Sequence, residues 1–266
     1  MDLVMDLDSA APFYEMRLAR DGYAYKEHQF KDYYGSRFPS MWLAAANIPT
    51  TERVPRGLSM ARVETSLVKM ALAELMPHFP SRAERQSKRS RSAVEVGWTY
   101  EGSYGYDERE GQAPRAVRAK SWDEFVRLKE LIVEVMRRLA PQLSLDEERL
   151  NVSCLLYSPG QCIPWHADRK HIYRNPVFGC ILFNSSDSVL EFHQMEPQGK
   201  PTGRPLERFL VPEEAGCCFL QQHEARYQWI HGVPELHRGE RLSVTWRWFL
   251  DDVELEGMKP QRGEEG

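Results

Sequence analysis

The spacing of apolar residues predicts two packing helices upstream of residue 150. The stretch SWDEFVRLKELIVEVMRRLAP begins at Ser121, has Glu124 at the capping-box spacing and ends at Pro141. Its apolar side chains recur at helical spacing, namely Phe125, Leu128, Ile132, Val135 and Leu139. A second helix is predicted for TSLVKMALAELM, which ends at Pro77. For the longer helix we expect a sheet as the packing partner of its apolar face.

From residue 151 onward the pattern changes to short β-prone runs. They are separated by turn clusters such as PGQ and NSSDS and by a Gly/Pro-rich loop at 197–205. The predicted strands are NVSCLLYS, FGCILF, VLEFHQ, GCCFLQ, YQWIHGV and RLSVTWRWFL. Many short strands with turns between them indicate a sandwich or barrel-like sheet rather than alternating βα units. The end of the chain, KPQRGEEG, is predicted to be a frayed tail.

The last predicted strand has two different faces. Alternation puts Arg241, Ser243, Thr245 and Arg247 on one face, and Leu242, Val244, Trp246 and Trp248 on the other. We expect the apolar face to be covered, with the helix at 121–140 as the candidate cover. The polar face either meets solvent or lines a cavity. His231 precedes Arg241 by ten residues with a turn between them, so we expect the two on neighbouring antiparallel strands.

Composition indicates a globular protein with a full core. The 266 residues are 42% hydrophobic and 28% charged with a net charge of −4, which gives no global attraction to nucleic acid or anionic membrane. The acidic start lacks the features of a signal peptide, and no apolar run approaches the roughly 18 residues of a membrane span. We therefore expect an intracellular protein of a reducing compartment, cytoplasm or nucleus. Five cysteines without CxxC spacing are expected to be reduced, with Cys217 and Cys218 as a candidate redox pair.

Two segments between the helices are open to a functional interpretation. The run SRAERQSKRSRS at 81–92 carries five basic residues against one Glu, and it is either a solvated loop or a phosphate contact. The next segment contains Trp98, Tyr100, Tyr104 and Tyr106. These rings either belong to the core, which we expect for most of them, or stack on a flat substrate.

The stretch PWHADRK raises the question of a metal site. On an extended segment, His166 and Asp168 point to the same side and can hold one ion together. A second histidine from a distant strand would complete a two-histidine, one-carboxylate set that leaves three positions open on octahedral iron. Two of these suit the keto acid end of 2-oxoglutarate and one suits O2, while Arg241 suits the far carboxylate. The remaining candidates are interpreted as surface or loop histidines: His171, His193, His223 and His237.

Residues 151–249 resemble the AlkB-like branch of the Fe(II)/2-oxoglutarate dioxygenases. The resemblance rests on YSPG, HAD, FGCILFNSSDSVLEF, ARYQWIHGV and RLSVTWR, which is similar to the family's RxNxTxR signature. It implies a mainly β fold with flanking helices (α+β), built on a double-stranded β-helix or jelly roll. It implies Fe(II) ligands His166, Asp168 and His231. The implied 2-oxoglutarate contacts are Tyr157, Arg241 and Arg247, with Thr245 supporting the strand.

The chain departs from the family pattern at three positions. Leu155 and Ser243 stand where many members have Asn. Lys170 stands where the nucleic acid repair members often carry an acid that reads the damaged base. The domain division expected from the match is an N-terminal extension at 1–95, a dioxygenase domain at 96–250 and a tail at 251–266.

The resemblance implies oxidative demethylation. Iron, 2-oxoglutarate and O2 oxidise a C–H bond, the co-substrate becomes succinate and CO2, and an N-methyl group is lost as formaldehyde. The expected substrate is alkylated nucleic acid, with the basic run for phosphate contacts and the aromatic segment for stacking. A methylated or hydroxylated protein side chain is the alternative, which Lys170 and the acidic balance favour. A binding module without turnover is a third reading, and the complete ligand set argues against it.

Overall fold

The computed structural model describes residues 16–18, 24–26, 31, 36, 50–86, 91–100, 115–168, 172–195, 205–251 and 253–255. The strands are β1 (Met16–Leu18), β2 (Ala24–Lys26), β3 (Leu58–Arg62), β4 (Ser92–Tyr100), β5 (Arg115–Arg118), β6 (Leu150–Tyr157), β7 (Ile163–His166), β8 (Val177–Asn184), β9 (Glu191–Met195), β10 (Pro205–Leu210), β11 (Cys217–Gln221), β12 (Trp229–Val233), β13 (Arg241–Trp248) and β14 (Glu254–Leu255). The α-helices are α1 (Thr65–Leu75), α2 (Arg82–Gln86), α3 (Val126–Leu139) and α4 (His223–Tyr227). The positions discussed above that lie outside the described residues are the acidic start, 87–90, Tyr104, Tyr106, Lys170, His171, 197–204 of the predicted loop and the whole of KPQRGEEG.

Strands β6 to β13 form a double-stranded β-helix. The large sheet has the order β14-β5-β4-β6-β13-β8-β11-β3, and a smaller sheet has the order β10-β9-β12-β7. Every ladder among the eight strands β6 to β13 is antiparallel. Along the chain these strands pass back and forth between the two sheets, which is the jelly-roll topology. The predicted fold class is therefore confirmed.

The described residues form three apolar clusters, and the two larger ones cover the faces of the large sheet. The first lies between the two sheets and includes Leu155, Tyr157, Phe219, Phe192, Phe209, Trp229 and Val233. The second lies on the other face of the large sheet, where α1 and α3 pack. The apolar face of β13 belongs to this second core, as its alternation predicts. Its polar face consequently points between the sheets rather than to bulk solvent, because Arg241 and Ser243 are both buried.

The start of α3 differs in detail from the predicted capping box. Ser121 caps a short 3-10 turn at 122–124 by accepting a hydrogen bond from the Asp123 backbone N–H, and α3 itself begins at Val126. The first N–H groups of α3 are satisfied instead by the Glu74 carboxylate of α1, at 3.1 Å from N of Arg127 and 2.9 Å from N of Leu128. A carboxylate at a helix N-terminus complements the helix dipole. The two helices are thus tied together at this end.

Segments upstream of residue 100 extend the large sheet. Strand β3 pairs with β11, and β4 pairs with β6 across residue 95, the predicted domain boundary. The sequence pattern missed β1, β2, β3, β5, β7, β10 and β14, and it placed Tyr227 in a strand although this residue ends α4. Within the described ranges, no helix is long and apolar enough to cross a lipid bilayer.

The packing of α3 predicts a sharp difference between two neighbouring positions. Ile132 is fully buried against the sheet, whereas Val133 is 46% exposed. Ile132→Ala should lower the free energy of unfolding by about 2–5 kcal/mol, because it leaves a cavity. Val133→Ala should change it by less than about 0.5 kcal/mol. Urea unfolding followed by circular dichroism measures both, and equal effects would contradict the placement of α3.

Candidate active site

Strands β7 and β12 bring two histidines together. They are adjacent antiparallel strands, and His231 lies directly opposite His166 in their register. The two imidazole centroids are 4.4 Å apart. Gly232 permits this close approach, because a Cβ at that position would lie 2.7 Å from the Trp165 ring and 2.9 Å from the Ile163 carbonyl oxygen. A side chain after His231 would therefore push β7 away.

Asp168 completes a possible metal site. It follows the end of β7 by two residues, and one ligand-capable atom each of His166, Asp168 and His231 lies within 4.8 Å of the others. Among the described residues this is the one such group of three or more. The carboxylate and His231 are buried, while His166 is half-buried. The structure thus brings together the three residues that the sequence predicted.

Each ligand is held by contacts outside the set. His166 Nδ1 lies 2.8 Å from the Pro164 carbonyl oxygen, so Nδ1–H donates to it and Nε2 remains for an ion. His231 Nδ1 is engaged by the side-chain amide of Gln221 at 3.3 Å. Arg247 Nη1 donates to Asp168 Oδ1 at 2.7 Å, which leaves Oδ2 as the second carboxylate oxygen. These contacts fix the orientation of all three side chains.

The electrostatics keep Asp168 and His231 in the protonation states that a metal ion requires. Burial raises the pKa of Asp168, but the positive charge of Arg247, followed by the two histidines, outweighs this and lowers the pKa to about 2. Burial and the neighbouring His166 lower the pKa of His231 to about 3. The carboxylate is therefore ionised and the His231 imidazole neutral at neutral pH, which is the state of a metal ligand.

Two residues that the sequence did not single out support this end of the site. Arg226 of α4 is fully buried, donates from Nη2 to the Tyr173 carbonyl oxygen at 2.7 Å, and also binds the Arg174 carbonyl and the Asn175 side chain. Tyr173 in turn lies 4.0 Å below the Arg247 guanidinium, measured from Cζ to the ring centroid. Arg226 thus holds the segment that supports Arg247. Its role depends on contacts with residues about 50 positions away, so no local pattern reveals it.

The predicted co-substrate residues lie on the inner face of the large sheet. Arg241 is opposite Tyr157 in the β13–β6 register, and its Cζ is 5.4 Å from the Tyr157 ring centroid. Thr245 is half-buried on the same face, between the two arginines. Arg247 contacts Asp168, as described above. Arg241 binds a residue that the sequence did not single out, Glu213, from the segment between β10 and β11.

One predicted neighbourhood is wrong. His231 and Arg241 were expected on adjacent antiparallel strands, but β12 belongs to the small sheet and β13 to the large sheet. The segment between them carries the chain from one sheet to the other. The two residues therefore belong to opposite walls of the jelly roll rather than to one ladder, which places the arginine and the metal ligands around a shared interior.

One residue from each of the two segments that favoured nucleic acid is used inside the fold. Arg85 of the basic run is 5% exposed and donates to Glu240 at 2.9 Å and to the Pro80 carbonyl oxygen at 2.6 Å. Trp98 is fully buried, and its indole N–H donates to the Glu148 carbonyl oxygen at 2.6 Å. Trp98 is thus a core residue, as expected. Neither side chain is available to a phosphate or a base.

The other histidines are not alike. His237 and His223 are exposed, as predicted. The prediction is wrong for His193, which is 1% exposed, contacts the Glu191 carboxylate at 2.9 Å and stacks on Trp165 with centroids 3.9 Å apart. His193 lies on β9, and both faces of this strand are covered. The sequence of the strand alone does not show that its outer face is buried.

Comparisons with known proteins leave the family open. A domain of unknown function (DUF8284) matches residues 15–46. No curated protein matches the chain. Among solved structures, a prolyl-4-hydroxylase of Pseudomonas putida is similar at 16% identity, with a TM-score of 0.40, over 73% of this chain and 93% of that chain. This likeness is too weak to carry an argument about activity, so function is argued from the site itself.

Removing a ligand should weaken metal binding. Asp168→Ala and His231→Ala should each lower the affinity for Mn(II) at least tenfold, because even the loss of a residue that only supports a ligand costs about 10- to 100-fold. His237→Ala, at an exposed histidine, is the matched control and should bind like the wild type. Titration calorimetry measures these affinities. Wild-type affinity in both ligand variants would rule out this metal site.

The cysteines should be unreactive in the folded protein. Burial raises the pKa of all five thiols, to about 12 for Cys217 and about 11 for Cys218. A raised pKa keeps the thiol protonated, so alkylation by iodoacetamide at pH 8 should be at least about 100-fold slower than in urea. Mass spectrometry over a pH series measures the rates. Fast labelling of Cys217 at pH 8 would restore the redox-pair hypothesis.

Proposed function

We propose that this protein is an Fe(II)- and 2-oxoglutarate-dependent dioxygenase. The observation that carries the proposal is the ligand set His166, Asp168 and His231, assembled within 4.8 Å inside a double-stranded β-helix. Two imidazoles and one carboxylate are the donors of mononuclear iron oxygenases, and they leave coordination positions open for small molecules. The AlkB-like sequence motifs lead to the same three residues.

The residues around the ligand set fit this chemistry. When bound, Fe(II) with 2-oxoglutarate and O2 supplies an oxidant for a C–H bond, and the co-substrate leaves as succinate and CO2. The chain's part is to hold and orient. Arg247 fixes Asp168 through its 2.7 Å hydrogen bond, and we assign Tyr157, Arg241 and Thr245 to the co-substrate pocket. Burial of Asp168 and Tyr157 excludes water from this interior.

The substrate class separates two forms of the proposal. Oxidative demethylation of nucleic acid follows from the AlkB-like motifs. Oxidation of a protein side chain, as hydroxylation or demethylation, is the second candidate. It is favoured because Arg85 and Trp98 bind other groups inside the fold and so cannot contact nucleic acid. Both candidates use the same iron site and the same co-substrate.

Turnover of the co-substrate tests the enzyme proposal. Purified protein with Fe(II), ascorbate and 2-oxoglutarate should release succinate, at least slowly without a substrate. His166→Ala should abolish this release because it removes an iron ligand, and His237→Ala should keep it. Succinate is measured by mass spectrometry. Release that is independent of Fe(II), or that persists in His166→Ala, would contradict the proposal.

A substrate panel then distinguishes the two candidates. Methylated oligonucleotides, methylated peptides and unmethylated peptides are incubated with the loaded enzyme. Formaldehyde from oligonucleotides alone supports the AlkB-like activity. Formaldehyde from peptides, or a gain of one oxygen in a peptide, supports the protein-directed candidate.

A further inference from the structure

The arginine assigned to the co-substrate already has a carboxylate partner within the protein. Arg241 donates from Nε to Glu213 Oε2 and from Nη2 to Glu213 Oε1, both at 2.7 Å. The exposed fractions of the two side chains are 2% and 3%. This is a buried bidentate ion pair, the strongest form of arginine–carboxylate contact.

Glu213 is held in place by further donors. The backbone N–H of Leu190 donates to Oε1 at 2.9 Å, and Asn184 Nδ2 donates to Oε2 at 3.2 Å. Each carboxylate oxygen therefore accepts two hydrogen bonds, one from Arg241 and one from another element. The contacts fix Glu213 at the guanidinium edge formed by Nε and Nη2.

Arg241 has few hydrogen-bond donors left for a ligand. A guanidinium has five N–H groups. Two are donated to Glu213, and one on Nη1 is donated to Ser243 Oγ at 2.8 Å. One N–H on Nη1 and one on Nη2 are left for a ligand. A carboxylate that binds there meets an arginine whose charge is already balanced, and it also meets the negative charge of Glu213.

We propose that Glu213 is the internal counter-ion of Arg241 and sets the co-substrate specificity of the pocket, by lowering the preference for 2-oxo acids that carry a second carboxylate. This inference rests on the proposed function, because it concerns the co-substrate of the same site. It predicts a pocket that tolerates 2-oxo acids without the distal charge.

The test compares two five-carbon ligands. 2-Oxopentanoate has the keto acid end of 2-oxoglutarate but a methyl group in place of the second carboxylate. Their dissociation constants are measured by calorimetry on the full-length, Mn(II)-loaded protein. The wild type should favour 2-oxoglutarate by less than about tenfold, because a hydrogen bond to an unbalanced charge contributes about ten- to hundredfold and this charge is balanced.

Removing the counter-ion should increase the preference for 2-oxoglutarate over 2-oxopentanoate. In Glu213→Gln the preference for 2-oxoglutarate should rise by about ten- to hundredfold, since Arg241 then pairs with the ligand. Glu214→Gln is the matched control: this neighbouring glutamate contacts Cys217 instead. It should keep the wild-type ratio. Circular dichroism checks that each variant is folded.

The outcomes are distinct. A wild-type preference above about tenfold, or an unchanged preference in folded Glu213→Gln, overturns the role of Glu213 and leaves the dioxygenase proposal intact. If Glu213→Gln does not fold, the wild-type ratio decides alone. Failure of the metal-loaded wild type to bind either oxo acid overturns the dioxygenase proposal itself.

Discussion

The register between β7 and β12 is the constraint on which the site depends. It places His231 opposite His166, and the chain leaving β7 then delivers Asp168 to the same point. A slip of one residue would turn one imidazole to the opposite face of the small sheet. The ladder is irregular directly after this pair, where Gly232 lies against β7. The relative position of the two histidines thus comes from backbone pairing, and the surrounding hydrogen bonds orient their side chains.

Three buried carboxylates lie inside the described part of the fold, and each pairs with an arginine. Asp168 pairs with Arg247, Glu213 with Arg241, and Glu191 with Arg208. An unpaired buried charge is strongly destabilising, so each pair stabilises the fold against the loss of either partner. Two of the arginines lie on β13 at opposite ends of one face. That strand therefore connects the end of the interior that holds Asp168 to the end that holds Glu213.

The sequence predicts the parts of this arrangement that depend on local periodicity. Alternation in β13 identified its inward face, helical spacing identified the buried side of α3, and the HAD triplet with the AlkB-like motifs identified the ligands. What it missed depends on contacts between distant segments. Glu74 replaces the predicted cap of α3 from 53 residues away, and Glu213 sits 28 residues before its arginine. An arginine carries the same charge whether it is buried or exposed. Composition therefore could not show that Arg85 forms an ion pair inside the fold rather than a contact with phosphate.

The two arginines of β13 are chemically identical but cannot exchange roles. Six residues of strand put their Cα atoms about 20 Å apart, so Arg247 contacts Asp168 whereas Arg241 contacts Glu213. The partner of Arg247 is Asp168, one of the three proposed metal ligands, so displacing it would disturb the proposed site. The partner of Arg241 is a structural glutamate with no metal to hold. A co-substrate that joins this pair leaves the metal ligands untouched. In the proposed enzyme, the Arg241 end of β13 is therefore the position where selectivity for the co-substrate can vary without loss of the iron site.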